Sequence, residues 1–309
     1  MTSRLVAAWA IAAALAFCAW PSAAQDRPLT LELDQPLKVE AGGTVLDIEL
    51  HTGSINRLTL HPETAARLGV DSLPSHLYGT GRLRIGTTGI LNGRDRAIDL
   101  TIEGVPHTAR VLWFEGASGG TGHGSAGPFA IPFDHIAIRL GGTSAATYRF
   151  PLIGGFNLSA GARFTHDGGD MLVQFAVEEK GSYPLASAAA GAAIAAAYDG
   201  VATGELWDEH IAFGIRRTVQ LVRLGRPLVI GPFRFDAIAV RTRDRLDGSG
   251  SGDKLPEPPA EWDPSEMVVI MPGYKGPLPV FSFRIPRPVL TRCGMIEYRK
   301  KAKEIRLSC

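Results

Sequence analysis

Three separated segments of this chain repeat at one offset, and a duplicated unit constrains a fold more than any single motif. Gly53-Ser54 returns as Gly181-Ser182, 128 residues on, each pair following an apolar strand-like run and preceding an Ala-containing helical run. Leu100-Thr101-Ile102 returns as Leu228-Val229-Ile230, and the run ending Val111-Leu112 returns as the one ending Ala239-Val240, at the same spacing. The repetition predicts a degenerate duplication with a first lobe over 25–154 and a second over 155–309. In the first, strands are expected over 97–105, 109–114, 136–140 and 147–152, separated by turns rich in Gly, Asn and Pro. In the second, strands are expected over 171–177, 219–224 and 233–241, with Ala186 to Ala197 as a buried helix bounded by Pro184 and Gly200. Residues 247–264, DGSGSGDKLPEPPAEWDP, read as a surface linker. The closing strands near 295–298 and 304–307 resemble the segment 136–150 displaced by about 158 residues, which an insertion of about 30 residues containing the linker explains. The expected fold is all-β, with two similar β-barrel-like lobes and a short helix in each.

The stretch Leu46 to Gly69, LDIELHTGSINRLTLHPETAARLG, reads as an alternating strand, a tight Thr52-Gly53-Ser54 turn, a second strand and a helix opened by Pro62. This order resembles the loop around the catalytic aspartate of retropepsin-like and pepsin-like aspartic peptidases, with His51 standing where that family carries its Asp. Gly127 to Pro132 lies where the family has a glycine-containing apolar stretch behind that loop, and Tyr78 where its flap hairpin covers the cleft; the alternative for Tyr78 is a turn tyrosine packing on a loop. The resemblance implies two lobes of the aspartic peptidase type, each contributing one carboxylate that shares a proton with the other and polarises a water. The 128-residue offset sets Glu179 opposite His51, so both catalytic positions are substituted. Three readings of His51 and Glu179 follow: relaxed positions on an inactive scaffold, an ion pair joining the lobes, or a dyad in which neutral His51 acts as general base oriented by Glu179. Around them, Thr52, Gly53, Ser54, Tyr78, Gly181 and Ser182 are candidate binding residues, with Gly53-Ser54 as an ordinary hairpin turn the plainer alternative. The implied partner is a peptide or protein segment in the cleft between the lobes. The competing roles are an active peptidase with a His51/Glu179 dyad and a structural envelope protein.

Residues 1–24 read as a secretory signal: Arg4, an apolar run from Leu5 to Trp20, and Ser22-Ala23-Ala24 as a cleavage site, too short a run for a spanning helix. A periplasmic or secreted location is therefore expected, with no stable membrane span after cleavage. Removing Arg4 takes Lys+Arg from 32 to 31, equal to the 31 Asp+Glu, and no basic stripe is present, which argues against nucleic acid as the partner. In an oxidising compartment the two remaining cysteines, Cys293 and Cys309, read as a disulfide stapling the closing hairpin. The eight histidines are scattered, with no H-E-x-x-H motif, no cysteine pair at zinc spacing, no phosphate loop and no G-x-S-x-G elbow, so no metal or cofactor is expected. The run Glu266 to Ile270 reads as an edge strand.

Overall fold

Along Leu37–Ala41, Leu37, Val39 and Ala41 are buried while Lys38 and Glu40 are exposed, the period-two pattern of a sheet with one wet face. Gly42 and Gly43, at φ +55° and +77°, turn that strand back on the next, the positive-φ pair that a two-residue hairpin loop requires. The computed structural model describes residues 27–53, 57–70, 79–85, 89–114, 122–155, 158–166, 169–212, 215–242, 267–270 and 281–309.

In chain order these form β1 (Leu29–Glu32), β2 (Leu37–Ala41), β3 (Thr44–Leu50), β4 (Leu58–Leu60), α1 (Pro62–Arg67), β5 (Gly79–Ile85), β6 (Gly89–Ile102), β7 (Val105–Phe114), β8 (Gly124–Ala126), a 3₁₀ turn (Pro128–Ala130), β9 (His135–Arg139) and β10 (Thr147–Gly155). There follow β11 (Leu158–His166), β12 (Gly169–Ala176), β13 (Leu185–Ala186), α2 (Ala188–Ala197), β14 (Val201–Ala212), β15 (Ile215–Ile230), β16 (Phe233–Arg241), β17 (Met267–Ile270), β18 (Ser282–Pro286), α3 (Arg287–Leu290), β19 (Met295–Arg299) and β20 (Glu304–Ser308). The fold is all-β, and its helices are short.

In the first half β6, β2, β3, β8, β4 and β7 pair in that order, and β7 pairs with β6 again, closing a six-stranded barrel. The second half repeats five of these pairings with the same sense: β11–β12, β12–β18, β18–β13, β13–β16 and β16–β15. It does not close. The edge of β11 that would meet β15 is taken by β10, so the second set runs on through β10, β20, β19, β9 and β1 as one 12-stranded sheet. The lobes are thus less alike than the repeat predicts: one closed barrel and one open counterpart inside a large sheet.

The registers show where the repeat is true to its offset and where it is not. Leu100 faces His107 as Leu228 faces Phe235, a displacement of 128 on both strands. Ahead of the loop, however, Leu37 faces Ile48 as Ala162 faces Val173, and Leu50 faces Ala126 as Phe175 faces Ile285, which sets β2 and β3 125 residues from β11 and β12. The two helix N-caps, His61 and Ser187, stand 126 apart. Counted this way, the counterpart of His51 is Ala176 and not Glu179, and Gly53 does not correspond to Gly181.

The Ala-rich run forms α2, capped where the Ser187 hydroxyl accepts from the Ala190 N–H at 3.2 Å. Gly191 lets it lie directly on β16, since a Cβ there would stand 2.2 Å from a Val240 methyl. The buried core is continuous from β2 and β3 through β12, β18 and β19. Cys293 and Cys309 form a disulfide at the end of the closing hairpin. β17 pairs with β5 at the edge of the sheet that holds the barrel, the edge strand expected for that run. The signal expected over 1–24 and the linker expected over 247–264 lie outside the described residues. No helix among the described residues is long and apolar enough to cross a membrane.

Candidate functional site

The ends of β3 and β12 meet between the halves, and the loop after β3 is held there by the second half. Thr52 is fully buried. Its hydroxyl donates to the Phe175 carbonyl and accepts from the Val177 N–H at 3.1 Å. Glu178 adds both carboxylate oxygens, accepting from the Thr52 N–H at 3.1 Å and the Gly53 N–H at 2.9 Å. On the other side of the turn the Gln174 amide donates to the Gly53 carbonyl at 2.9 Å, and Arg284 Nε donates to the Gln174 oxygen at 3.3 Å. Behind Phe175, the buried Tyr298 hydroxyl reaches the same carbonyl at 3.4 Å. Burial raises the Tyr298 pKa, so the phenol stays a neutral donor.

Gly53 is required by this packing. A Cβ on it would stand 2.6 Å from the Ala176 Cβ and 3.3 Å from the Ala176 Cα, so the turn lies flat on the residue that answers to His51 in the other half. Ala176 is itself fully buried.

His51 Nε2 lies 2.9 Å from Glu49 Oε2. Glu49 lies on β3 and His51 directly past its end, two residues on, a spacing that puts both side chains on one side of the extended chain. Burial pulls the His51 pKa down, but the hydrogen bond to Glu49 and the charges of Glu178, Glu49 and Glu179 outweigh it, and the net shift is upward. The ring is therefore held toward imidazolium. Glu179, which the sequence reading paired with His51, instead accepts from Arg284 Nη1 at 2.6 Å. Its pKa is raised: burial dominates, Arg284 opposes it, and Glu178 and Glu209 add to it. His51 and Glu179 are close enough to feel each other's charge, but the hydrogen-bonding partner of His51 is Glu49.

A cleft of about 640 Å3 opens over this junction. His51, Glu49 and Gly53 contribute from the first half, Glu178, Glu179 and Gly181 from the second, and Glu209 and His210 from β14. Burial and the Arg284 charge lower the His210 pKa, against the neighbouring Glu209. Of the expected binding residues, Thr52, Gly53 and Gly181 are at the junction or its cleft, Ser182 is exposed on the following turn, and Ser54 and Tyr78 lie outside the described residues. Sequence reasoning missed Glu49, Gln174, Glu178, Glu209 and His210. Glu49 was within reach of the strand period, whereas the others meet the loop only across the junction. Among the described residues, no group of three or more His, Cys, Asp or Glu is arranged to hold a metal ion.

No model of a known protein family matches the chain, and no curated protein matches it.

Proposed function

We propose that this chain is an exported, aspartic-peptidase-like protein that binds a peptide or protein segment in the cleft between its halves without cleaving it. The observation that carries this reading is the filling of the second carboxylate position. Two facing carboxylates sharing a proton are what activate water in the aspartic mechanism. Here the residues at the corresponding strand ends are His51 and Ala176, and Ala176 is buried beneath Gly53. The nearby Glu178 is engaged with main-chain N–H groups and Glu179 with Arg284. The cleft remains, and an extended chain in it can be held by strand-like pairing. A periplasmic or secreted site of action, after cleavage of residues 1–24, belongs to the same proposal.

The His51–Glu49 contact at 2.9 Å favours a second reading, a hydrolase using that pair. It is the weaker one, because an imidazole shifted upward beside a carboxylate is favoured as imidazolium, which works against its acting as a free base. Incubating the exported protein with a diverse peptide library from acid to neutral pH, read by mass spectrometry for cleavage and by affinity retention for binding, separates the roles. Retention without new termini is the expected result. Cleavage that disappears in both His51→Ala and Glu49→Gln would establish the pair as catalytic, and cleavage lost in Glu179→Ala would restore the His51/Glu179 dyad. Neither cleavage nor retention would leave the structural envelope role.

A further inference from the structure

We propose that the segment bound in the cleft is basic and extended, and that it docks as an added strand along the outer edge of β14 with a lysine or arginine side chain at Glu209. The proposal rests on the non-cleaving, peptide-binding reading and names the ligand class and the surface that takes it.

β14 is the last strand of the 12-stranded sheet. One of its edges pairs with β15 from Val201 to Ala212, and among the described residues no strand pairs with the other. The strand is 12 residues long, and Val201 and Leu206 on it are 68% and 60% exposed. A partly apolar edge without a partner strand is a template for another strand, and the register shifts after Ala202 and after His210 confine the regular stretch of β14 to Leu206 to His210, which holds Glu209.

The cleft meets this strand at its edge. Side chains of consecutive strand residues point to opposite faces of a sheet. Glu209 and His210 are consecutive, yet both line the cleft. The cleft touches both residues beside the register shift that follows His210, and the inner margin of β14 is occupied by β15.

The charges select the occupant. The cleft arginines are already engaged with carboxylates, Arg284 with Glu179 and Arg287 with Asp34, and Lys180 stands exposed at the rim. Glu209 accepts from the neutral indole N–H of Trp207 at 3.0 Å, and Glu178 from neutral main-chain groups. The Glu178 charge already acts on the His51 ring, so Glu209 is the carboxylate offered to an incoming cation. Trp207 fixes the direction of Glu209, and Gly181 borders its carboxylate without a side chain, where a Cβ would be in van der Waals contact at 3.5 Å from the carboxyl carbon. An acidic strand segment is repelled by this wall, and a neutral one forgoes the pairing that sets register.

The test measures binding of fluorescently labelled ten-residue peptides to the exported protein by anisotropy. The peptides alternate valine with lysine, with glutamine or with glutamate, and a fourth is the lysine peptide N-methylated on one edge. The lysine peptide is expected to bind about tenfold more tightly than the glutamine peptide, and N-methylation to abolish binding. Glu209→Gln, which keeps an acceptor for Trp207, is expected to weaken it about fivefold, while Glu205→Gln, the same change at an exposed position of β14, leaves it within about twofold. Hydrogen exchange should slow on β14 amides in the complex. If the lysine, glutamine and glutamate peptides bind alike, or protection falls on other strands, this proposal is overturned while peptide binding stands. If none of the peptides binds, the peptide-binding reading falls with it.

Discussion

Replacing Thr52 by valine isolates the hydroxyl that ties the halves together. The side chains are nearly the same size, so the fully buried site stays filled and the loss is one of hydrogen bonding. The Val177 N–H, 3.1 Å from the hydroxyl, loses its acceptor. A buried donor left unsatisfied costs about 1–3 kcal/mol. The Phe175 carbonyl loses the Thr52 donor but keeps the Tyr298 hydroxyl at 3.4 Å, so its share is near the lower end, about 0.5–1 kcal/mol. Thr52→Val should therefore destabilise by about 1.5–4 kcal/mol. Urea unfolding followed by tryptophan fluorescence measures the loss, and hydrogen exchange at the Val177 amide locates it. Because Tyr298 partly covers for the missing donor, adding Tyr298→Phe should cost more than the two single changes together. A loss below about 0.5 kcal/mol with unchanged exchange at Val177 would refute the account of the junction.

Four other outcomes are expected. His51 has a folded pKa above its ordinary 6.5, so its stabilisation is complete below that value and fades as pH rises through the folded pKa. His51→Gln should therefore lower the urea midpoint more near pH 6 than near pH 9, and an equal loss at both would contradict the shift. Burial pulls Lys300 down to about 8, with Asp134 opposing, while its ammonium donates to the Ile131 carbonyl at 2.7 Å. The folded state then binds that proton less tightly than the unfolded chain, stability should rise between about pH 8 and 10.5, and Lys300→Met should flatten the rise. Reducing the Cys293–Cys309 bond, which spans a sequence separation of 16, should cost about 3 kcal/mol in parallel unfolding curves with and without reductant. Installing aspartate at both His51 and Ala176 should give no peptidase and a less stable protein, more so at neutral than at acid pH, because the second carboxylate would be buried under Gly53; acid-range cleavage at wild-type stability would refute this.

Burial decided what could be read from the sequence. Strands that wall the core show as alternating or continuously apolar runs, and β7, β12, β16 and the closing hairpin fall near where those runs place them. β6 and β15 extend to 14 and 16 residues, past the expected 97–105 and 219–224. Their outer parts belong to long hairpins, and in β14, the hairpin partner of β15, Val201 to Glu205 are all exposed. Without a buried face there is no reason for alternation, and such residues look like turns. The pairing of His51 with Glu179 missed for a different reason, although both line the cleft. A constant offset assumes that both loops after the first hairpin have the same length, yet the displacement is 125 at β3 and 126 at the helix cap. A difference of a few residues, invisible in an Ala- and Gly-rich chain, is enough to move the counterpart of His51 from Ala176 to Glu179.

The junction also explains why the two halves cannot exchange roles. With His51 answering to Ala176, Thr52 answers to Val177, and a valine side chain has no group to return the hydrogen bonds that Thr52 makes. The clasp therefore runs one way: the first half supplies the turn and one hydroxyl, and the second supplies Glu178, Gln174, the Phe175 carbonyl and the Val177 N–H. A symmetric pair of loops would leave its carboxylates facing the cleft. Here Glu178 is turned onto the Thr52–Gly53 main chain, with each oxygen on an N–H, which satisfies buried donors that would otherwise cost about 1–3 kcal/mol each. The geometry that makes Glu178 a good fastener makes it a poor activator of water, since both of its oxygens already accept main-chain N–H groups. On the proposed non-cleaving reading, holding the halves together and withholding Glu178 from water activation are thus one arrangement, with the cleft above it left for a ligand.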